Sequence, residues 1–153
     1  MPEKDFYQVS LKAILRNHEG KVLILRDQSG GTYEGFYDLP GGRVDVGEFE
    51  VPWTDILKRE LEEELQFIDI TIFPTPVALG RHQIPSSLTK DGQPVRVLYI
   101  FFEATLNSGV PAISEEHSSA RWVDLQKIKI DQYFMSGILQ GVEMYLSNGN
   151  SRK

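Results

Sequence analysis

Strands, a helix, further strands and a last helix follow one another along the chain. That order predicts an α/β (α+β) fold, a mixed β-sheet with helices on its faces. Three observations carry it. Residues 7–16 and 21–26 are alternating apolar segments around Asn17-His18-Glu19-Gly20, which reads as a hairpin. Leu57, Leu61 and Leu65 recur at helical spacing. Residues 131–146 carry a second helical stripe.

The elements follow in order. A Gly-rich polar loop, 28–35, and a short apolar stretch, 36–39, lead to Pro40-Gly41-Gly42. A helix is expected over 54–65, with Thr54 or Asp55 as its N-cap. Two strands are expected at 68–83 and 94–106, around a polar turn, 85–93, centred on Asp91-Gly92. Residues 107–117 read as a loop and 120–123 as a short strand. The last helix, 131–146, would be capped by Asp131 and ended by Asn148-Gly149, with Phe134, Met135, Ile138, Leu139, Val142, Tyr145 and Leu146 on one face. Gly137 and Gly141 are spaced for close packing.

A chain of 153 residues suits one domain, 1–153. Its composition is that of an ordinary globular protein, with no apolar run near the ~18 residues of a membrane helix. The first residues show no secretory signal. There is no cysteine, which excludes disulfides, thiol nucleophiles and thiolate metal sites, and fits a cytoplasmic protein. A net charge of −6 argues against a nucleic-acid polymer as ligand, but not against a small phosphorylated one.

Arg59-Glu60-Leu61-Glu62-Glu63-Glu64 is the most informative stretch. With Leu57 at zero and about 100° per residue, Glu60, Glu63 and Glu64 fall at about 300°, 240° and 340°, on one side of the helix. Arg59 falls beside Glu63, and Glu62 points away. Like charges on one face repel. A hard divalent cation that accepts several oxygens relieves that repulsion, and Arg59 can orient one carboxylate through a forked hydrogen-bond pair. Alone, such a run is more often a solvated surface helix. The glycine loop before it, Leu39 to Glu48, changes the balance, because glycines let backbone approach a metal or phosphate. The Walker spacing is absent, so a P-loop is not supported.

Together these segments resemble the Nudix box: Gly, five residues, Glu, seven residues, then Arg-Glu-apolar-x-Glu-Glu-x-Gly-apolar. Gly42, Glu48, Arg59, Glu60, Leu61, Glu63, Glu64 and Phe67 match it. Leu39-Pro40-Gly41-Gly42 resembles the family's lead-in, and Glu116-His117 with Arg121-Trp122-Val123 its late strand, so the resemblance runs from about residue 7 to about residue 128. There are two departures. Ten residues, 49–58, separate Glu48 from Arg59 where the family has seven, which lengthens the connection between Glu48 and the helix; and Gln66 replaces a glycine.

The resemblance implies a Nudix-type α/β/α sandwich that hydrolyses phosphoric anhydride bonds with Mg²⁺, or Mn²⁺ in its place. Glu60 and Glu64 are the implied metal ligands, with Glu63, Glu48 and the backbone oxygen of Gly42 as further ones. The implied general base is a box glutamate such as Glu63 or a later loop carboxylate, Glu116 or alternatively Glu115. Arg59 orients the cluster. Arg43, and less directly Arg26 and Arg81, are candidates for substrate phosphate, against a plain reading as exposed arginines. His82 and His117 are read as structural or surface residues, and Trp53, Trp122, Tyr33, Phe36 and Tyr37 as core. The expected substrate is a small nucleotide, first a nucleoside diphosphate linked to another group, as in ADP-ribose. Nucleoside triphosphates and dinucleoside polyphosphates follow. A non-catalytic nucleotide-sensing module is the other class; loss of box carboxylates would favour it, and all are present. A homodimer is an expectation by analogy only.

Overall fold

A computed structural model describes residues 1–27, 30–112 and 117–149. Gln8–Arg16 (β1) and Val22–Asp27 (β2) form the expected hairpin, with Gly20 at φ +76° in its turn. Tyr37–Asp38 (β3) and Gly41–Arg43 (β4) precede the helix Trp53–Leu65 (α1). Ile68–Ile72 (β5), Ala78–Ile84 (β6), Val95–Gly109 (β7) and His117–Val123 (β8) follow. Ile130–Tyr133 (α2) and Ser136–Ser147 (α3) end the described chain.

The strands make one mixed sheet. β1 and β7 run parallel, and the other pairs are antiparallel. One edge of β1 is shared: β4 pairs with Ser10, Leu11 and Lys12, while β2 joins at Arg16. β7 is shared likewise between β6 and β5. This sharing places the Gly41-Gly42 backbone directly beside the middle of β1.

Strand alternation then sorts the core. Leu11, Ala13 and Leu15 of β1 face α1, where they pack with Ile56, Leu57, Leu61 and Leu65. Ile14 faces the other way, toward Phe134, Ile138, Val142 and Tyr145. The expected stripes of both helices are therefore the buried ones, and the molecule is a helix–sheet–helix sandwich. Gly80 of β6 and Gly137 of α3 meet backbone to backbone: a Cβ on Gly80 would lie 2.0 Å from the Gly137 carbonyl oxygen. A Cβ on Gly141 would enter the Phe101 ring. The close-packing reading of the two helix glycines holds.

Four expectations need correction. α1 begins at Trp53 with Pro52 as N-cap and no side-chain cap, so neither Thr54 nor Asp55 caps it; Asp55 lies in the first turn, where the helix dipole favours a carboxylate. Residues 68–84 form two strands, because Pro74 and Pro76 each lack the N–H that a ladder needs. β7 extends to Gly109, into the expected loop. The last helix is broken: α2 starts after Lys129, the chain opens at Phe134 and Met135, and α3 restarts at Ser136 with φ +52°. The Gly80–Gly137 contact seats that restart against β6.

Candidate active site

The polar edge of α1 is organised by Arg59. Its Nη2 donates to Glu48 Oε2 at 2.6 Å and to Glu60 Oε1 at 3.5 Å, and its Nη1 donates to Glu63 Oε1 at 3.2 Å. Three carboxylates from two segments thus gather on one guanidinium. Glu48 reaches it despite the longer connection. Glu48 ends a 3₁₀ turn, Val46–Glu48, and the longer connection follows it through a turn in which the Val51 N–H donates to the Glu48 carbonyl at 3.0 Å, ahead of α1. Glu48 Oε1 also accepts the Asp45 N–H at 2.8 Å. That backbone donor, together with Arg59, holds the Glu48 carboxyl below the usual range. Glu60 shifts the other way. Burial raises it and Arg59 opposes the rise, while Glu63, Glu48 and Asp45 add to it. Glu62 is exposed and outside the cluster, as its helical angle requires.

The glycine pair supplies the other half. Gly41 donates its N–H to Glu64 Oε1 at 3.3 Å. Gly41 sits at φ +146°, and a Cβ there would lie 1.9 Å from the Leu11 carbonyl oxygen. Only glycine fits this approach. At Gly42 a Cβ would lie 2.4 Å from Glu60 Oε2, so the missing side chain is the space the Glu60 carboxylate occupies.

Among the described residues, no three acidic or histidine side chains already converge as a metal-holding group. The donor chemistry nevertheless fits a divalent cation. Glu60 is cradled against Gly42, Glu64 is held on Gly41, and burial, with neighbouring carboxylates adding to it, penalises ionised Glu60. Added positive charge would remove that penalty, and hard oxygen donors are what Mg²⁺ takes.

Behind the glycines lies a cavity of about 340 Å³. Glu64, Gly41 and Gly42 belong to its wall, so it opens onto the carboxylate side. Within it, Lys12 Nζ donates to Asp38 Oδ2 at 3.0 Å and to the Leu39 carbonyl at 3.2 Å. Lys12 is only 8% exposed, which a lysine tolerates when paired. Tyr99 lies under its ammonium at 5.8 Å. His82 Nδ1 is 2.7 Å from Ser136 Oγ, its Nε2 is 2.8 Å from Thr32 Oγ1, and its ring packs on Tyr33 at 4.6 Å. Burial lowers the His82 pKa, with Asp38 pulling weakly upward. Burial also pushes the Tyr33 hydroxyl up to about 12, and raises Tyr99. Away from Arg43 and Glu64, the lining therefore holds a neutral imidazole, neutral phenols and one compensated ion pair.

The family model of the NUDIX domain matches residues 6–139. This chain belongs to the NUDIX family. An 8-oxo-dGTP diphosphatase from Haemophilus influenzae is 35% identical over 66 residues, which cover 43% of this chain and 46% of that relative. The chain thus matches less than half the length of this curated relative. Among solved structures, a MutT protein from Methanosarcina mazei Go1 superimposes with a TM-score of 0.74 at 24% identity, covering 99% of this chain and 100% of the other. An ADP-ribose pyrophosphatase from Streptococcus suis 89-1591 gives 0.62 at 19% identity, covering 97% and 96%. These two likenesses establish the NUDIX fold.

The fold thus brings Gly42, Glu48, Arg59, Glu60, Glu63 and Glu64 of the NUDIX box together. Arg43 is at the cavity wall, exposed, with Nη1 on Gln8 Oε1 at 2.7 Å. Arg26 is not in the cavity wall. It stacks over Tyr37 at 5.8 Å, near Arg121 and Tyr133. Burial works upward on the Tyr37 hydroxyl, but Arg121 and Arg26 hold its pKa below the ordinary value. Arg81 donates to the Tyr7 hydroxyl at 3.4 Å, away from the box. Glu115 and Glu116 lie outside the described residues, as does the His117 side chain. Tyr33 and Tyr37 are buried as expected, whereas Trp53 is 43% exposed and is not a core residue. Lys12, Asp38, Tyr99 and the cavity role of His82 were not foreseen. Lys12 did leave a signal: a charge inside the apolar run 11–15.

Proposed function

We propose that this NUDIX domain hydrolyses the diphosphate linkage of a nucleoside diphosphate joined to another group, in a Mg²⁺-dependent reaction that Mn²⁺ can also support. One observation carries the reading: box carboxylates gathered on Arg59 stand beside Glu64, which is held on the glycine loop at a cavity wall. Glu60 and Glu64 would hold the cation, with Glu63, Glu48 and the Gly42 backbone as further donors. Once bound, it supplies charge against phosphate oxygens and lowers the pKa of the attacking water.

The chain's own groups do the rest. Arg59 fixes the carboxylates in one arrangement, so less reorganisation is needed when charge develops. Gly41 allows the close approach to β1, and Gly42 leaves the space in which the Glu60 carboxylate sits. Arg43 is placed to neutralise a phosphate oxygen. Glu63, on the exposed side of the cluster, or Glu116 takes the proton of the attacking water. A second reading, cleavage of a nucleoside triphosphate to its monophosphate, is favoured by the 8-oxo-dGTP diphosphatase relative. No described helix is long and apolar enough to cross a membrane, and we propose a cytoplasmic enzyme acting on small nucleotides, assembled as a homodimer.

The test is a nucleotide panel with Mg²⁺, read by product identity. Glu64→Gln should remove most turnover, by about 100-fold or more, with the fold kept by circular dichroism. Unchanged turnover in that variant would sink the assignment.

A further inference from the structure

We infer that the Lys12–Asp38 pair selects the nucleobase, favouring a base whose edge carries adjacent N–H donors beside a carbonyl, as guanine does. The inference rests on the nucleotide chemistry proposed above and adds which base is read and by which residues.

The cavity argues for a base before it argues for a particular one. Lys12 and Asp38 cancel in charge, and Asp38 would repel a phosphate, so the cavity beside this pair suits an uncharged polar edge. Its side walls suit a flat ring: Tyr99 and the Tyr33–His82 pair are aromatic, and Ile84, Leu88 and Val97 are apolar. Glu64 and the two glycines share the same wall, so a nucleotide with its base inside extends its phosphates toward α1.

Hydrogen-bond capacity then ranks the bases. An ammonium has three protons, and Lys12 spends two on Asp38 Oδ2 and the Leu39 carbonyl, leaving one to give. Asp38 Oδ1 accepts the Leu39 N–H at 2.7 Å and Oδ2 accepts Lys12, so each oxygen retains a lone pair. The pair therefore offers one donor flanked by a carboxylate with two remaining acceptor sites. Guanine presents the matching set, O6 for Lys12 and N1–H with N2–H₂ for Asp38. Adenine offers N1 and N6–H₂, two contacts of the three. Uracil offers O4 and N3–H, also two. Cytosine offers N3 with N4–H₂, again two. The third contact is a charge-assisted hydrogen bond, the strong kind.

The experiment is calorimetric titration of the full chain, without metal, with GMP, AMP, UMP and CMP. GMP should bind about tenfold tighter than the others, and Asp38→Asn should erase that gap, because an amide offers one acceptor where the carboxylate offered two. Equal binding of the four, binding of none, or a gap that survives Asp38→Asn overturns the inference. If Asp38→Asn does not fold, the wild-type ranking decides alone. Hydrolysis of the nucleotide panel separates the two readings. A GMP preference with no hydrolysis overturns the proposed activity and leaves base selection standing. Hydrolysis without a base ranking does the reverse.

Discussion

On the two sides of Gly41-Gly42 the same domain solves opposite electrostatic problems. Toward α1 it concentrates like charges at an exposed edge, with Glu48, Glu60 and Glu63 sharing a single arginine. Toward β6 and β7 it encloses a cavity in which Lys12 is matched by Asp38 and His82 is kept neutral. The first arrangement is under-compensated and suits binding a cation. The second is compensated and suits an uncharged ring. On the proposed function, the difference teaches that chemistry and recognition are separable, with the glycine pair as the partition between them.

The partition itself is the most sensitive place to break this. Gly42→Ala puts a methyl group where the Glu60 carboxylate lies, and that carboxylate is the movable end of a side chain. The fold should survive with little change in unfolding midpoint, while kcat falls by about 10- to 100-fold through misplacement of one carboxylate. Nucleoside monophosphate affinity, read by calorimetry, should stay near wild type. Equal losses in kcat and affinity would show that the two sides are not separable.

A smaller effect sharpens the cavity side. His82 is held below its ordinary pKa because burial disfavours the charged ring. The unfolded chain therefore takes up the proton first as pH falls through about 6.5, and stability is lost from that point down toward the folded value. His82→Gln cannot titrate. Urea unfolding at about pH 7.5 and about pH 5.5 should show wild type losing more stability than the variant on acidification. A constant difference at both pH values would contradict the buried-neutral role.

The smallest expected change lies at the end of α1. Gln66 sits at φ +60° and ψ −139°, a region that suits glycine. Gln66→Gly should stabilise the domain by about 1 kcal/mol, the relief exceeding glycine's extra freedom in the unfolded chain. Urea midpoints decide its sign, and turnover should not change.

These two sides also differ in how much of them shows in the linear chain. The carboxylate edge is local: Arg59, Glu60, Glu63 and Glu64 lie within two turns, so helical geometry alone places them together. Glu48 is less legible, because its position depends on a lengthened connection, and the Asp45–Glu48 and Arg59–Glu48 bonds hold it in place. The cavity is non-local. Lys12, Asp38, His82 and Tyr99 come from β1, β3, β6 and β7; the parallel β1–β7 pairing and the β6–β7 ladder gather three of them, and the pairing of β3 with β2 and the Lys12 bonds bring in Asp38. No spacing rule announces such a set. The split of residues 68–84 was announced by Pro74 and Pro76. The break before α3 was not: it lies next to the contact of Gly137 on Gly80, which joins residues far apart in the chain.

The most direct test of metal-dependent chemistry on α1 is turnover of an accepted nucleoside diphosphate derivative as Mg²⁺ is raised from zero, in wild type and Glu60→Gln. Wild type should be inactive without the ion and saturate with it, releasing nucleoside monophosphate. Glu60→Gln should require more Mg²⁺ and reach a kcat lower by about 100-fold, with unaltered nucleoside monophosphate affinity. Turnover without the ion, or a Glu60→Gln curve that overlays wild type, would contradict it.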